Sequence, residues 1–329
     1  ERGTAVMEKL INQDNVAAVG GGYHSSVGIA SKEVAHDNGV PVVFAETWND
    51  KITASKLPEI FRIAPLSSEA SAVYYNFAAT IPGVKKVVIV TENTDYGIPA
   101  AQETEAGLTK SGISSVTFSV DIGTQDFSGI IQRVKAENPD MIITLTTGEA
   151  SLNFAQQAAE NGVGPGDLPF LCDQISLESK LFWTNVPDGN YCFMSRVGLP
   201  PEHYTDISKS FLKRYVERTG KAVPESYAFE AYDSIMIIAQ AITAANSTKG
   251  ADIIAALEKI DYNGALGKIT FPYGINNPPA ANGKGDQWWH QFPDPAITVV
   301  QYQTEGQDST EAPVVYPDRY KTGEPVFPK

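Results

Sequence analysis

Cysteine is scarce in this chain of 329 residues: only Cys172 and Cys192 occur, each inside an apolar run, which excludes a disulfide-dense scaffold. A structural disulfide and a pair of buried thiols fit that placement equally well. No uninterrupted apolar run approaches the roughly 18–20 residues that cross a bilayer, so no stable membrane insertion is expected. Basic residues are outnumbered, 25 against 39 acidic, and the net charge of −14 argues against nucleic acid or an anionic membrane as partner. The four histidines, His24, His36, His203 and His290, are scattered without H-E-x-x-H or similar spacing, so no metal site is indicated. Gly20-Gly21-Gly22 precedes a helical pattern, but neither G-x-G-x-x-G nor a G-K-[ST] ending follows, and a phosphate loop is not supported. No G-x-S-x-G elbow occurs, and Ser25 has no base near it in sequence. These absences leave no cofactor and no enzyme activity to expect. Neither a signal peptide nor a lipidation motif shows at the amino end, which a mature or truncated chain would also lack.

What the chain does have is ordinary globular composition, 42% hydrophobic and 19% charged, at a length that favours two lobes over one. Apolar runs suited to strands buried on both faces lie at 17–22, 41–46, 60–65, 85–92, 116–121, 140–147, 168–173 and 189–195. Amphipathic helix patterns at 3–14, 26–38, 68–81, 97–111, 127–138 and 149–161 alternate with them, which implies a doubly wound α/β fold. From Glu202 the pattern changes to helices at 203–219, 225–245 and near 250–260, then strands near 267–271 and 297–303. The tail from Gly306, rich in Pro and Tyr, is expected to be irregular. Two breaks look like crossings between lobes: Phe61 through Ser68, where Pro65 ends a strand and Ser67 or Ser68 can cap a helix, and Val197-Gly198-Leu199-Pro200-Pro201. Trp288-Trp289-His290 is expected to form an aromatic patch near a third. The expected division is 1–65 plus 198–295 for lobe 1 and 66–197 plus 296–329 for lobe 2, with a cleft between them.

Open α/β sheets bind ligands outside the carboxyl ends of their strands, where helix amino termini converge. At two neighbouring strand ends this chain carries the same mixture. Ser25 and Ser26 open a helix and offer hydroxyl and backbone donors to a carboxylate or amide, and Thr47 brings similar donors. Tyr23 and Trp48 supply apolar walls, and Glu46 a negative charge.

Five short stretches then occur in one order along nearly the whole chain: Gly39-Val40-Pro41-Val42-Val43, Phe61-Arg62, Val87-Val88-Ile89-Val90 through Asp95-Tyr96-Gly97, Asp126-Phe127-Ser128 with Pro139-Asp140, and Tyr227-Ala228-Phe229-Glu230-Ala231-Tyr232-Asp233. In these the chain resembles the type I periplasmic solute-binding proteins of ABC transporters, in the leucine/isoleucine/valine- or amide-binding branch. The resemblance implies two Rossmann-like lobes with a hinge and a central cleft. It also implies a strand, helix and strand, roughly 50 residues, ahead of the segment that begins at Glu1.

Carried over position by position, the resemblance places a carboxylate-binding serine at Ser25, followed by Ser26, and the donor stretch after the next strand at Thr47 and Trp48. It places a hinge-side tyrosine at Tyr96 and the aromatic residue of the long helix at Tyr227. A pocket tyrosine falls on Thr147, and the acid that holds a ligand ammonium falls on Gln174; both depart from the pattern. A desolvated ammonium needs an anion, and Glu46 or Glu149 would have to supply it, unless the solute carries no ammonium. The expectation is a periplasmic or extracellular protein, with lipid anchoring left open, that captures a small polar solute by hinge closure and presents it to an ABC permease. A sensory or regulatory domain of the same fold ranks second, and an α/β enzyme third.

Overall fold

The computed structural model describes residues 2–172, 178, 181–186, 189–220 and 224–328. In chain order the elements are α1 (Arg2–Asn12), β1 (Val19–Gly21), α2 (Ser25–Asp37), β2 (Val42–Phe44), α3 (Lys51–Ala54), β3 (Ile60–Arg62), α4 (Ser67–Thr80), β4 (Lys86–Glu92), α5 (Gly97–Lys110), β5 (Ser114–Val120), α6 (Ser128–Glu137) and β6 (Met141–Leu145). They continue with α7 (Glu149–Glu160), β7 (Phe170–Cys172), α8 (Leu181–Asn185), β8 (Phe193–Val197), α9 (Asp206–Thr219), α10 (Tyr227–Ala245), α11 (Gly250–Leu257), β9 (Tyr262–Gly264), β10 (Gly267–Ile269), β11 (Ile297–Gln301) and β12 (Val314–Tyr316). The chain divides into two compact units, Glu1–Ser67 with Val197–Ala296, and Ser68–Arg196 with Ile297–Lys329.

The first unit is built on a parallel sheet β1-β2-β3, in which Val19, Val42 and Ile60 stand in register. Alternate residues of these strands face opposite sides, so an all-apolar strand feeds two cores. Val42, Phe44 and Ile60 join Met7 of α1, Ala35 of α2 and Ile52 of α3 on one side. Val43, Phe61 and Ile63 join Ile237, Ile238 and Ala241 of α10 and Ile253, Ile254 and Leu257 of α11 on the other. An antiparallel hairpin, β9 with β10, packs into this second core through Tyr262 and Ile269.

The second unit holds a seven-stranded sheet in the order β12-β11-β8-β7-β6-β4-β5, parallel from β5 through β8. Val88, Ile142, Phe170 and Cys172 share a core with Phe127, Ile131 and Val134 around α6 and with Phe154, Ala155 and Ala158 of α7. Phe77 of α4 meets Phe193 of β8 edge to face, with ring centroids 4.9 Å apart. Cys172 and Cys192 are buried free thiols in this unit.

Several boundaries differ from expectation for local reasons. The tail is not wholly irregular: Val314–Tyr316 forms β12 and pairs antiparallel with β11. A three-residue strand between Pro313 and Pro317 carries too little periodicity to be read from sequence. The helix expected from 203 starts at Asp206, because Pro201–His203 form a 3-10 turn and Thr205 caps α9 reciprocally with Ser208, each side chain bonding the other's backbone amide at 3.0 Å. The strand expected at 189–195 lies at Phe193–Val197, and α3, α8 and β9 are additions. His290 is fully buried, stacked on Phe61 with centroids 3.9 Å apart and bonded to the Glu258 carboxylate at 2.9 Å. That bond holds the Glu258 carboxyl below its ordinary range.

Candidate ligand site

In the first unit, the turn from β1 into α2 is made by Gly21 and Gly22, at φ of 111° and 91°, where an L side chain is strained. A Cβ on Gly22 would also stand 3.0 Å from the Phe44 ring. The turn delivers Ser25 as the first residue of α2, nearly fully buried. The loop after β2 is tied to the same place. The Ala45 and Glu46 amides donate to the Gly21 and Gly22 carbonyls at 2.9 and 3.0 Å, and the Asn49 amide donates to Ser25 Oγ at 3.2 Å. Thr47 is fully buried, and its methyl lies against α2, where a Cβ on Gly28 would come within 2.8 Å of it. The Thr47 hydroxyl has no hydrogen-bond partner among the described residues.

Arg62, at the end of β3, sets the shape of that loop from beneath. Fully buried, it donates to the Thr47 carbonyl at 3.0 Å, the Asn49 carbonyl at 2.7 Å, the Thr53 hydroxyl at 3.1 Å and Gln291 Oε1 at 2.6 Å. Glu46 and Trp48 are buried in the same loop. Tyr23 meets Tyr227, the first residue of α10, edge to face at 6.0 Å. Ser26, by contrast, is exposed.

In the second unit, a second strand-end cluster forms where β4 and β6 run side by side, with Thr91 opposite Leu145. Glu92, 2% exposed, ends β4 and accepts from the Thr94 hydroxyl at 2.7 Å. Across the gap the Thr147 amide and hydroxyl both donate to its other oxygen, at 2.8 and 2.7 Å. Thr94 Oγ1 in turn accepts from the Tyr96 and Gly97 amides, each at 3.2 Å, at the start of α5. A Cβ at Gly97 would overlap the Glu92 carbonyl, so the chain can pass only as glycine. Tyr96 and Thr147 are buried, and Glu149 is exposed at the start of α7. Gln174 lies outside the described residues.

The structure therefore brings Tyr23 beside Tyr227, and Ser25 beside the Glu46-Thr47-Trp48 loop, in one unit. In the other it bonds Thr147 directly to the Glu92 carboxylate and links the Tyr96 amide to it through the Thr94 hydroxyl. Three participants escaped the sequence reading: Asn49, Arg62 and Glu92. Arg62 was visible only as a motif letter, and Glu92 ends the apolar run Lys86–Glu92, where it reads as a solvated strand terminus. Among the described residues no group of three or more His, Cys, Asp or Glu could hold a metal ion.

The family model described as periplasmic binding protein matches residues 1–279. The chain belongs to that family. Among its relatives, an amino acid binding protein of Pseudomonas aeruginosa is 23% identical over 82% of this chain and 71% of its own length. A Leu/Ile/Val-binding protein homolog of Brucella abortus is 24% identical over 85% of this chain and 74% of its own. Of solved structures, the leucine binding protein LivK of Thermotoga maritima superposes with a TM-score of 0.78 at 19% identity, covering 95% of this chain and 82% of that one. A solute binding protein of an ABC transporter from Rhodopseudomonas palustris, in complex with 3,4-dihydroxybenzoic acid, gives 0.75 at 20% identity, covering 91% and 78%. This periplasmic binding protein thus has the type I fold of solute-binding proteins of ABC transporters, a family whose place is outside the cytoplasm. No helix among the described residues is long and apolar enough to cross a membrane.

Proposed function

We propose that this member of the family captures one small polar solute, an amino acid, amide or related compound, and delivers it to the permease of an ABC importer. The observation that carries the reading is the Ser25–Asn49 bond. It ties the amino end of α2 to the loop after β2, at the carboxyl ends of two adjacent parallel strands, beside a buried Thr47 hydroxyl that lacks a partner among the described residues.

In the proposed sequence, the solute docks on Ser25 and Thr47 against Tyr23, Trp48 and Tyr227. Tyr96, Thr147 and Gln174 then complete its surroundings as the two units close by a hinge. The closed form is what the permease reads, in the periplasm or at the cell surface. The relatives' names support the amino-acid class, and the R. palustris complex supports the inclusion of carboxylic acids.

Mass spectrometry of small molecules released on denaturing the purified chain tests the proposal. The expected result is one polar solute, near one equivalent, that raises the melting temperature when added back. Release of nothing, together with no thermal response to amino acids, amides or carboxylic acids, would overturn it.

A further inference from the structure

The Glu92 carboxylate is removed from water at a strand end, and its three hydrogen-bond donors, Thr94 Oγ1, Thr147 N and Thr147 Oγ1, are all neutral. Among the described residues no Lys, Arg or His forms an ion pair with it. Buried carboxylates ordinarily have a cation as well as donors, because neutral hydrogen bonds only partly replace the hydration of a full charge. This one stands where parallel α/β sheets bind their ligands.

The bond from Thr147 also fixes the polarity of that hydroxyl. An ionised carboxylate only accepts, so Thr147 Oγ1 commits its single proton to Glu92 and keeps two lone pairs for any further partner. A solute carboxylate or hydroxyl oxygen brought to Thr147 would meet lone pairs backed by a negative charge. A solute N–H would meet an acceptor strengthened by that charge.

Resting on the solute-binding reading above, we infer that Glu92, acting through Thr147, is a specificity-determining residue: it selects solutes carrying an ammonium or amide nitrogen over those with only carboxylate and hydroxyl groups. It fills the part of the missing anion that the sequence left to Glu46 or Glu149. Glu149 is exposed, whereas Glu92 is buried and already bonded to a candidate contact residue.

The test uses the full chain and matched pairs of probes: L-leucine, L-isoleucine and L-valine, each against the same skeleton with hydrogen in place of the amino group, with 3,4-dihydroxybenzoate as a further amine-free acid. Affinities are read by calorimetry and folding by melting temperature. Wild type is expected to prefer the amino-bearing member of at least one pair. Glu92→Gln keeps an oxygen for both Thr147 donors while turning an NH2 toward the Thr94 hydroxyl, so its folding is checked by the melting temperature, and it lowers that preference by about tenfold or more. Thr147→Ser, which keeps the hydroxyl, retains it. An undiminished preference in Glu92→Gln, or a wild type that binds the amine-free acids better, overturns the role of Glu92 and leaves solute binding standing. A wild type that binds neither series overturns solute binding and this inference together.

Discussion

At the scale of single residues, the site is shaped by groups that never need to touch a ligand. Arg62 holds two backbone carbonyls of the Thr47–Asn49 loop, a hydroxyl and a glutamine with one planar guanidinium, a geometry that an ammonium cannot copy. Arg62→Lys should therefore lower unfolding stability by about 2–4 kcal/mol, since buried acceptors are left without donors; urea denaturation midpoints measure this, and an unchanged midpoint would refute it. The sequence made Ser25 and Thr47 legible because a hydroxyl at a helix start or strand end announces itself by position. It concealed Arg62 and Glu92 because a charged residue beside an apolar run reads as exposed, and only the fold shows that each is buried with its donors or acceptors arranged around it. Thr147 was identified by position, but the direction of its hydroxyl hydrogen bond follows from Glu92 alone.

At the scale of elements, the β9–β10 hairpin shows how a small addition is fixed to the core. Asp233, inside α10, reaches the hairpin turn and accepts the Ala265 and Leu266 amides at 3.0 and 2.8 Å. Burial outweighs these bonds and pushes its carboxyl up to about 6 from an ordinary 3.8. Because the folded-state value lies above the unfolded one, the linked stability is fully present below about pH 3.8 and is lost as pH rises through about 6. The stability of wild type relative to Asp233→Asn should accordingly improve by roughly 2 kcal/mol between pH 7.5 and 4.5. The lowered Glu258 carboxyl has an opposite trend, which cancels in that difference. Denaturant titrations at the two pH values decide it, and a difference that grows toward high pH would contradict the assignment. The long alternating elements were legible from apolar runs such as Val87–Val90 and from the helix patterns between them. Strand β9 of the hairpin, α3 and β12 were not, because three or four residues of strand or helix are specified by tertiary partners such as Asp233 and β11 rather than by a period of their own.

At the scale of the whole molecule, two compact units each present a cluster of polar groups at strand ends, and one of those groups departs from the rule that buried polar atoms are paired. The Thr47 hydroxyl, fully buried and without a partner among the described residues, lowers the stability of the chain unless a ligand completes it. Proteins tolerate such local costs where function needs them, and the rest of the fold offsets them. The direct test is a single comparison of wild type with Thr47→Val, reading unfolding stability without solute and affinity for the released solute on the same samples. Solute capture at this loop predicts that valine, of nearly the same shape but with no hydroxyl to satisfy, raises stability by about 1 kcal/mol while weakening the solute by roughly tenfold or more. A variant that loses stability and binds the solute as tightly as wild type would contradict it.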